Sequence, residues 1–158
     1  MKLKTLFAVA SAVLLAGCLG DTTGSTELNI PPLTALPAGI DTVTTASGLK
    51  YADVTVGTGN TAEIGKAVQV HYTGWLSTGQ GFDTTQGLSP ANFVVGDTRL
   101  IAGFNEGLVG MKVGGKRRLI IPPALAYGNQ SVTDDRGNVV IPANSTLIFD
   151  LTLVAVAN

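Results

Sequence analysis

The run Val70-His71-Tyr72-Thr73-Gly74-Trp75-Leu76, the polar turn Ser77-Thr78-Gly79-Gln80 and the return Gly81-Phe82-Asp83 constrain this chain more than any other stretch. β-Branched and aromatic residues favour extended backbone, and the glycine-containing turn sends the chain back, so the two limbs read as an antiparallel hairpin. That pairing brings Tyr72 close to Phe82 and Asp83 and sets one carboxylate among aromatic rings. Taken alone it is a hairpin and nothing more.

Further β-prone runs lie at 50–56, 67–76, 91–95, 116–121 and 145–156, separated by Gly, Asn and Asp turns. Between the third and fourth, Leu100, Ile101, Phe104, Leu108 and Met111 share one face of a short helix, with Gly114-Gly115 as its stop. One helix laid on one antiparallel sheet is an α+β arrangement, and it can leave a concave apolar gap at the rim.

Three more blocks follow the hairpin in order: Arg99-Leu100-Ile101-Ala102-Gly103-Phe104-Asn105-Glu106-Gly107-Leu108, then Ile120-Ile121-Pro122-Pro123-Ala124-Leu125-Ala126-Tyr127-Gly128, then 141–151 from Ile141 to Leu151. With the hairpin they resemble the FKBP-type peptidyl-prolyl isomerases, the immunophilin family that binds macrolides, from about Ala46 to Val156. The resemblance implies a twisted antiparallel half-barrel wrapped around a single short helix, and peptidyl-prolyl cis-trans isomerase activity. It places Tyr72, Phe82, Phe93, Leu100, Ile101, Phe104, Tyr127 and Phe149 around a prolyl ring. It points the Asp83 carboxylate at the twisting amide and makes the Tyr127 hydroxyl a donor to a substrate carbonyl. The Ile101 backbone N–H, if the helix starts there, lacks an intrahelical partner and can donate too.

Each of these residues also has a plainer reading. Tyr72, Phe93 and Phe149 are aromatics that any β-rich core takes, Phe82 and Phe104 can simply fill the gap between helix and sheet, and Asp83 suits a turn or can hold Tyr72 in place. His71, next to Tyr72 on a strand, faces the other way and reads as structural. The chain departs from the family pattern in three places. Phe104 stands where many members carry tryptophan, the 129–139 loop is longer, and 84–92 lacks an arginine that some members have.

The front of the chain reads differently. Lys2 and Lys4, an apolar stretch from Leu6 to Leu15, and Leu15-Ala16-Gly17-Cys18 resemble a bacterial lipoprotein signal, with Cys18 the lipid attachment point. An ordinary cleaved signal that leaves Cys18 without a role is the alternative. The expected organisation is a signal peptide at 1–17, a flexible tether at 18–45, rich in Thr, Gly, Pro and Ser, and an isomerase domain at 46–158. That leaves about 110 residues for one core. The expected location is the bacterial cell envelope, lipid-anchored and facing the periplasm or in the outer membrane.

A net charge of −1 with 13% charged residues gives no electrostatic case for nucleic acid, and Lys112, Lys116, Arg117 and Arg118 read as a solvated helix and strand end. The single cysteine excludes an internal disulfide within one chain. Asp134 and Asp135 lack the ligand spacing of a calcium loop, and Gly57-Thr58-Gly59 precedes a strand rather than the helix a dinucleotide site needs. The expected protein is a monomer with no metal or cofactor, acting on proline-containing polypeptides and binding FKBP-directed macrolides. The main rival is the same fold used as a chaperone or assembly module that grips apolar segments with little turnover. A second rival is a purely structural lipoprotein domain.

Overall fold

The computed structural model describes residues 29–157. In chain order the elements are β1 (Val43–Thr44), β2 (Lys50–Thr55), β3 (Ala67–Leu76), β4 (Gly81–Thr84), β5 (Ala91–Val94), α1 (Ala102–Leu108), β6 (Lys116–Ile121), β7 (Val132–Thr133), β8 (Val139–Ile141) and β9 (Leu147–Val156). The main sheet runs β1-β2-β6-β9-β3-β4, with antiparallel neighbours throughout. β3 is its spine. One edge of β3 pairs with β9 from Val68↔Val156 to Leu76↔Leu147, and the other is shared between β5 at its start and β4 at its end.

Alternation decides the two faces. On β9, Leu147, Phe149, Leu151 and Leu153 are buried, while the residues between them are partly exposed. Facing residues Val68, Val70 and Tyr72 of β3 and Leu119 and Ile121 of β6 complete a concave apolar surface on which α1 lies. This is the α+β half-barrel around one helix that the sequence implied. The helix approaches β6 closely because Gly103 and Gly107, one turn apart, face it. A Cβ on Gly103 would overlap Ile121, and one on Gly107 would overlap Leu119, both of which are fully buried.

Several elements differ from the sequence reading. The helix stops at Leu108 rather than running to Gly114: Val109 turns extended, and Gly110, at φ +79°, reverses the chain so that its N–H reaches the Ala62 carbonyl. The 129–139 loop contains a second small sheet, β7 paired with β8, closed by a turn in which Asp134 accepts from the Arg136 and Asn138 amides. Val132, Val140 and Ile141 pack this hairpin against the core. Two of the four basic residues are paired: Arg117 meets Asp53 and Arg118 meets Asp150, each at 2.6 Å.

Part of the segment read as a tether is described, and it touches the sheet at a few points. Pro31, Thr34 and Val43–Thr44 are held at the sheet: the Trp75 indole donates to the Pro31 carbonyl, Arg118 donates to the Thr34 carbonyl, and β1 pairs with β2. The Pro31 carbonyl is thus in contact with the domain even though the composition around it is that of a linker. The signal peptide, Cys18 and the first part of the expected tether fall outside the described residues.

The helix contact yields a stability test. Gly→Ala inside a helix ordinarily gains about 1 kcal/mol. Gly107→Ala is instead expected to destabilise the protein by about 1–3 kcal/mol, because the new methyl has to displace Leu119 in a packed interior. Urea denaturation of the two proteins measures the sign directly.

Candidate active site

Strict alternation forbids two consecutive strand residues from sharing a face, yet Phe82 and Asp83 both enter the concave side. The register explains it. Gly74 pairs with Asp83 and Trp75 with Gly81, so Phe82 is an extra residue, a β-bulge in β4. The Phe82 ring then meets the buried Phe149 ring edge-on at 5.5 Å, and the Asp83 carboxylate accepts a 2.7 Å hydrogen bond from the Tyr72 hydroxyl.

Gly74 makes room for this arrangement. A Cβ there would lie 2.7 Å from the Phe82 ring and 2.8 Å from the Phe149 ring, too close for either to keep its place. This glycine sits inside the motif, but sequence reasoning gave it no role. A strand glycine where side chains converge is the signal that could have found it.

Around the bulge the aromatics form one connected set. Tyr72 lies 6.0 Å from Phe93, 6.1 Å from Phe104 and 6.2 Å from Phe149; Phe104 lies 5.3 Å from Phe93 and 5.4 Å from Phe149. The tilted and edge-to-face geometries suit ring quadrupoles. Phe104 and Phe149 are fully buried, so they are core residues and floor together, while Phe82, Phe93 and Leu100 are only partly covered and form the walls. The candidate residues placed together are therefore Tyr72, Phe82, Asp83, Phe93, Phe104 and Phe149. Tyr127 joins them through the electrostatic influence of Asp83.

The backbone holds the polar members. Thr85 brackets Tyr72: its hydroxyl accepts from the Tyr72 N–H at 2.9 Å, and its own N–H donates to the Tyr72 carbonyl at 2.9 Å. His71 points away and meets the Thr85 hydroxyl through Nδ1 at 3.2 Å, in keeping with a structural part. Tyr127 follows a 3-10 turn at Pro123–Leu125 and is fixed by Gly128, whose N–H donates to Pro123 and whose carbonyl accepts from Asn144. Among the described residues its hydroxyl has no hydrogen-bond partner. Ile101 is the N-cap of α1, in extended conformation, and its N–H likewise has no acceptor among the described residues.

Burial dominates the acid–base character of the site. Desolvation raises Asp83, while the hydrogen bonds from Tyr72 and from the Thr84 backbone partly oppose it. Burial first, and then the neighbouring Asp83 charge, push Tyr127 up to about 12 and Tyr72 further still. Both phenols stay protonated donors at any physiological pH. With no arginine in 84–92, Asp83 has the Tyr72 hydroxyl as its hydrogen-bond partner.

A separate concavity of about 620 Å³ on the other side of α1 is lined by Leu49, Tyr51, Asn105, Glu106, Val109 and Arg117. It shares no residue with the aromatic site. Its charged groups are already engaged, Glu106 by the Ser47 hydroxyl and Arg117 by Asp53, which leaves little chemistry to offer a ligand.

The family model for FKBP-type peptidyl-prolyl cis-trans isomerases matches residues 58–154. FK506-binding protein 1A of Neurospora crassa is 50% identical over 93 residues, covering 58% of this chain and 73% of that protein. FK506-binding protein 4 of Dictyostelium discoideum is 45% identical over 115 residues, 73% of this chain but only 30% of the relative's length. The crystal structure of AtFKBP13 superposes with a TM-score of 0.67 at 35% identity, over 74% of this chain and 99% of that one.

The Asp83 environment fixes a pH dependence. An acid whose pKa rises on folding supports the folded state only while protonated. Its contribution is full below the ordinary carboxylate value and is lost as pH rises through the raised one. The thermal midpoint of the parent protein is therefore expected to fall relative to that of Asp83→Asn as pH climbs from 3 toward neutrality. Parallel melting curves across that range check it; no divergence would mean that the carboxyl is not desolvated.

Proposed function

Because the chain belongs to the FKBP-type peptidyl-prolyl cis-trans isomerase family, we propose that it speeds rotation about X-Pro bonds in polypeptides, with the aromatic dish as its active site. The X-Pro bond turns slowly because its partial double-bond character must be lost, against a barrier of about 18–20 kcal/mol. No bond is broken, so the reaction calls for no nucleophile or cofactor. In the twisted state the amide loses resonance and its charge separation falls, which an apolar surrounding favours over water.

Magnitudes assign the parts. A ten-thousandfold acceleration corresponds to about 5–6 kcal/mol. One neutral hydrogen bond contributes about 0.5–1.5 kcal/mol, so donors from Tyr127 and Ile101 together account for about 3 kcal/mol at most. The remainder falls to desolvation of the prolyl amide between Tyr72, Phe82 and Phe93 and to Asp83, whose carboxylate faces the twisting group. Supporting this reading above all is the Tyr72–Asp83 hydrogen bond at 2.7 Å, a carboxylate held by its neighbour within an otherwise aromatic surface. The same dish would seat an FKBP-directed macrolide, with Phe104 as its floor in place of an indole.

The location belongs to the proposal as well, and its support is sequence alone: two lysines, an apolar run, and small residues before Cys18. On that reading lipid on Cys18 holds a monomeric catalyst at a bacterial envelope membrane, in reach of proteins folding there.

An X-Pro peptide assay, run with and without an FKBP-directed macrolide, is expected to show acceleration that the macrolide abolishes. Macrolide binding without acceleration would favour the chaperone reading, and neither would overturn the assignment of the site. Cys18→Ser is expected to move the protein from membrane pellet to supernatant with its isomerase rate unchanged; continued sedimentation would refute the anchor.

A further inference from the structure

We infer that residues 30–34 act as an external strap that positions the Phe82–Asp83 bulge, so that part of the site's geometry is set from the opposite face of the sheet. This deepens the proposed function and rests on it for the catalytic consequence.

The strap grips the sheet at the pair next to the bulge. Trp75 and Gly81 are cross-strand partners one step beyond Gly74 and Asp83. Trp75 projects to the convex face, is only 3% exposed, and donates its indole N–H to the Pro31 carbonyl at 2.8 Å. Across from it Gly81 receives Ile30: a Cβ on Gly81 would overlap the Ile30 Cγ2 and lie 3.0 Å from its Cβ. Farther along, Arg118 holds Asp150 through Nε and Nη2, both at 2.6 Å, and uses Nη1 to donate to the Thr34 carbonyl. The strap is thus fixed at both ends.

Its chemistry suits a brace. Pro31-Pro32 has restricted φ and no N–H to leave unsatisfied, while its carbonyls remain free to accept. A bulge is the point where ladder hydrogen bonding is interrupted. At this one, Phe82 and Asp83 are held inside by Phe149 and Tyr72, and from outside Ile30 and Pro31 press on the residues that flank them. Residues 30–34 then belong to the working domain and are more than a leash.

The test uses the full chain and a compensating pair. Gly81→Ala forces Ile30 away, and Gly81→Ala with Ile30→Gly restores the space. Trp75 is the only tryptophan, so its emission reports the strap. Gly81→Ala is expected to red-shift that emission and lower kcat/KM about tenfold, the scale of a sub-ångström misplacement of a reacting group, and the double variant to return both close to the parent. A shifted emission with unchanged kcat/KM, or a double variant that stays slow, overturns the inference. If the parent itself shows no isomerisation, the function fails separately, and amide exchange at 82–84 decides the strap: faster in Gly81→Ala and restored in the double variant supports it, and no change overturns it. Should Gly81→Ala not fold, Ile30→Asp releases the strap from its other side and is read in the same three ways.

Discussion

One extra residue in a four-residue strand, Phe82, is the constraint on which the site depends. Without the bulge, β4 would present either Phe82 or Asp83 to the concave face, and the site would lack a wall or a carboxylate. With it, both enter, and the interaction that locks them is the Tyr72–Asp83 hydrogen bond. Gly74 on β3 makes the bulge tolerable on one side by leaving room for two rings, and Gly81 does so on the other by admitting Ile30. One glycine in an ordinary strand position, Gly74, is thus what lets the Phe82 and Phe149 rings converge there.

The energetic logic is economical. The aromatic floor is also the hydrophobic core, since Phe104 and Phe149 are as buried as Leu119 or Leu153. Packing that stabilises the fold therefore also preorganises the dish. Asp83 is the exception, a carboxyl kept in a place where desolvation raises its pKa. A buried group held against a stability cost, with a hydrogen-bonded partner and a place beside a donor phenol, is what a reaction of twisting amides can use. The proposed function and the anomaly agree with each other.

The strand runs and the short helix are legible in the sequence because periodicity survives in one dimension, and the converging aromatics follow from the family resemblance that the order of the blocks carries. Register is not legible. Nothing in Gly81-Phe82-Asp83 announces that Phe82 is the extra residue, since a bulge is defined by the partner strand. The helix end was misplaced for a related reason: apolar Met111 continues the helical spacing, but Gly110 reverses the chain first and Met111 is buried from a loop. Composition at 29–45 does not announce a contact either: proline and threonine read as a linker, and the hydrogen bond from the Trp75 indole to the Pro31 carbonyl is defined by its partner strand.

The most direct measurement is a double-mutant cycle on kcat/KM for an X-Pro peptide, comparing Tyr72→Phe, Asp83→Asn and the pair. If the hydroxyl and carboxylate act as one unit, the double substitution costs little more than the worse single one. Fully additive losses would mean that the two groups work independently, and that the hydrogen bond at the centre of this account is incidental to the chemistry.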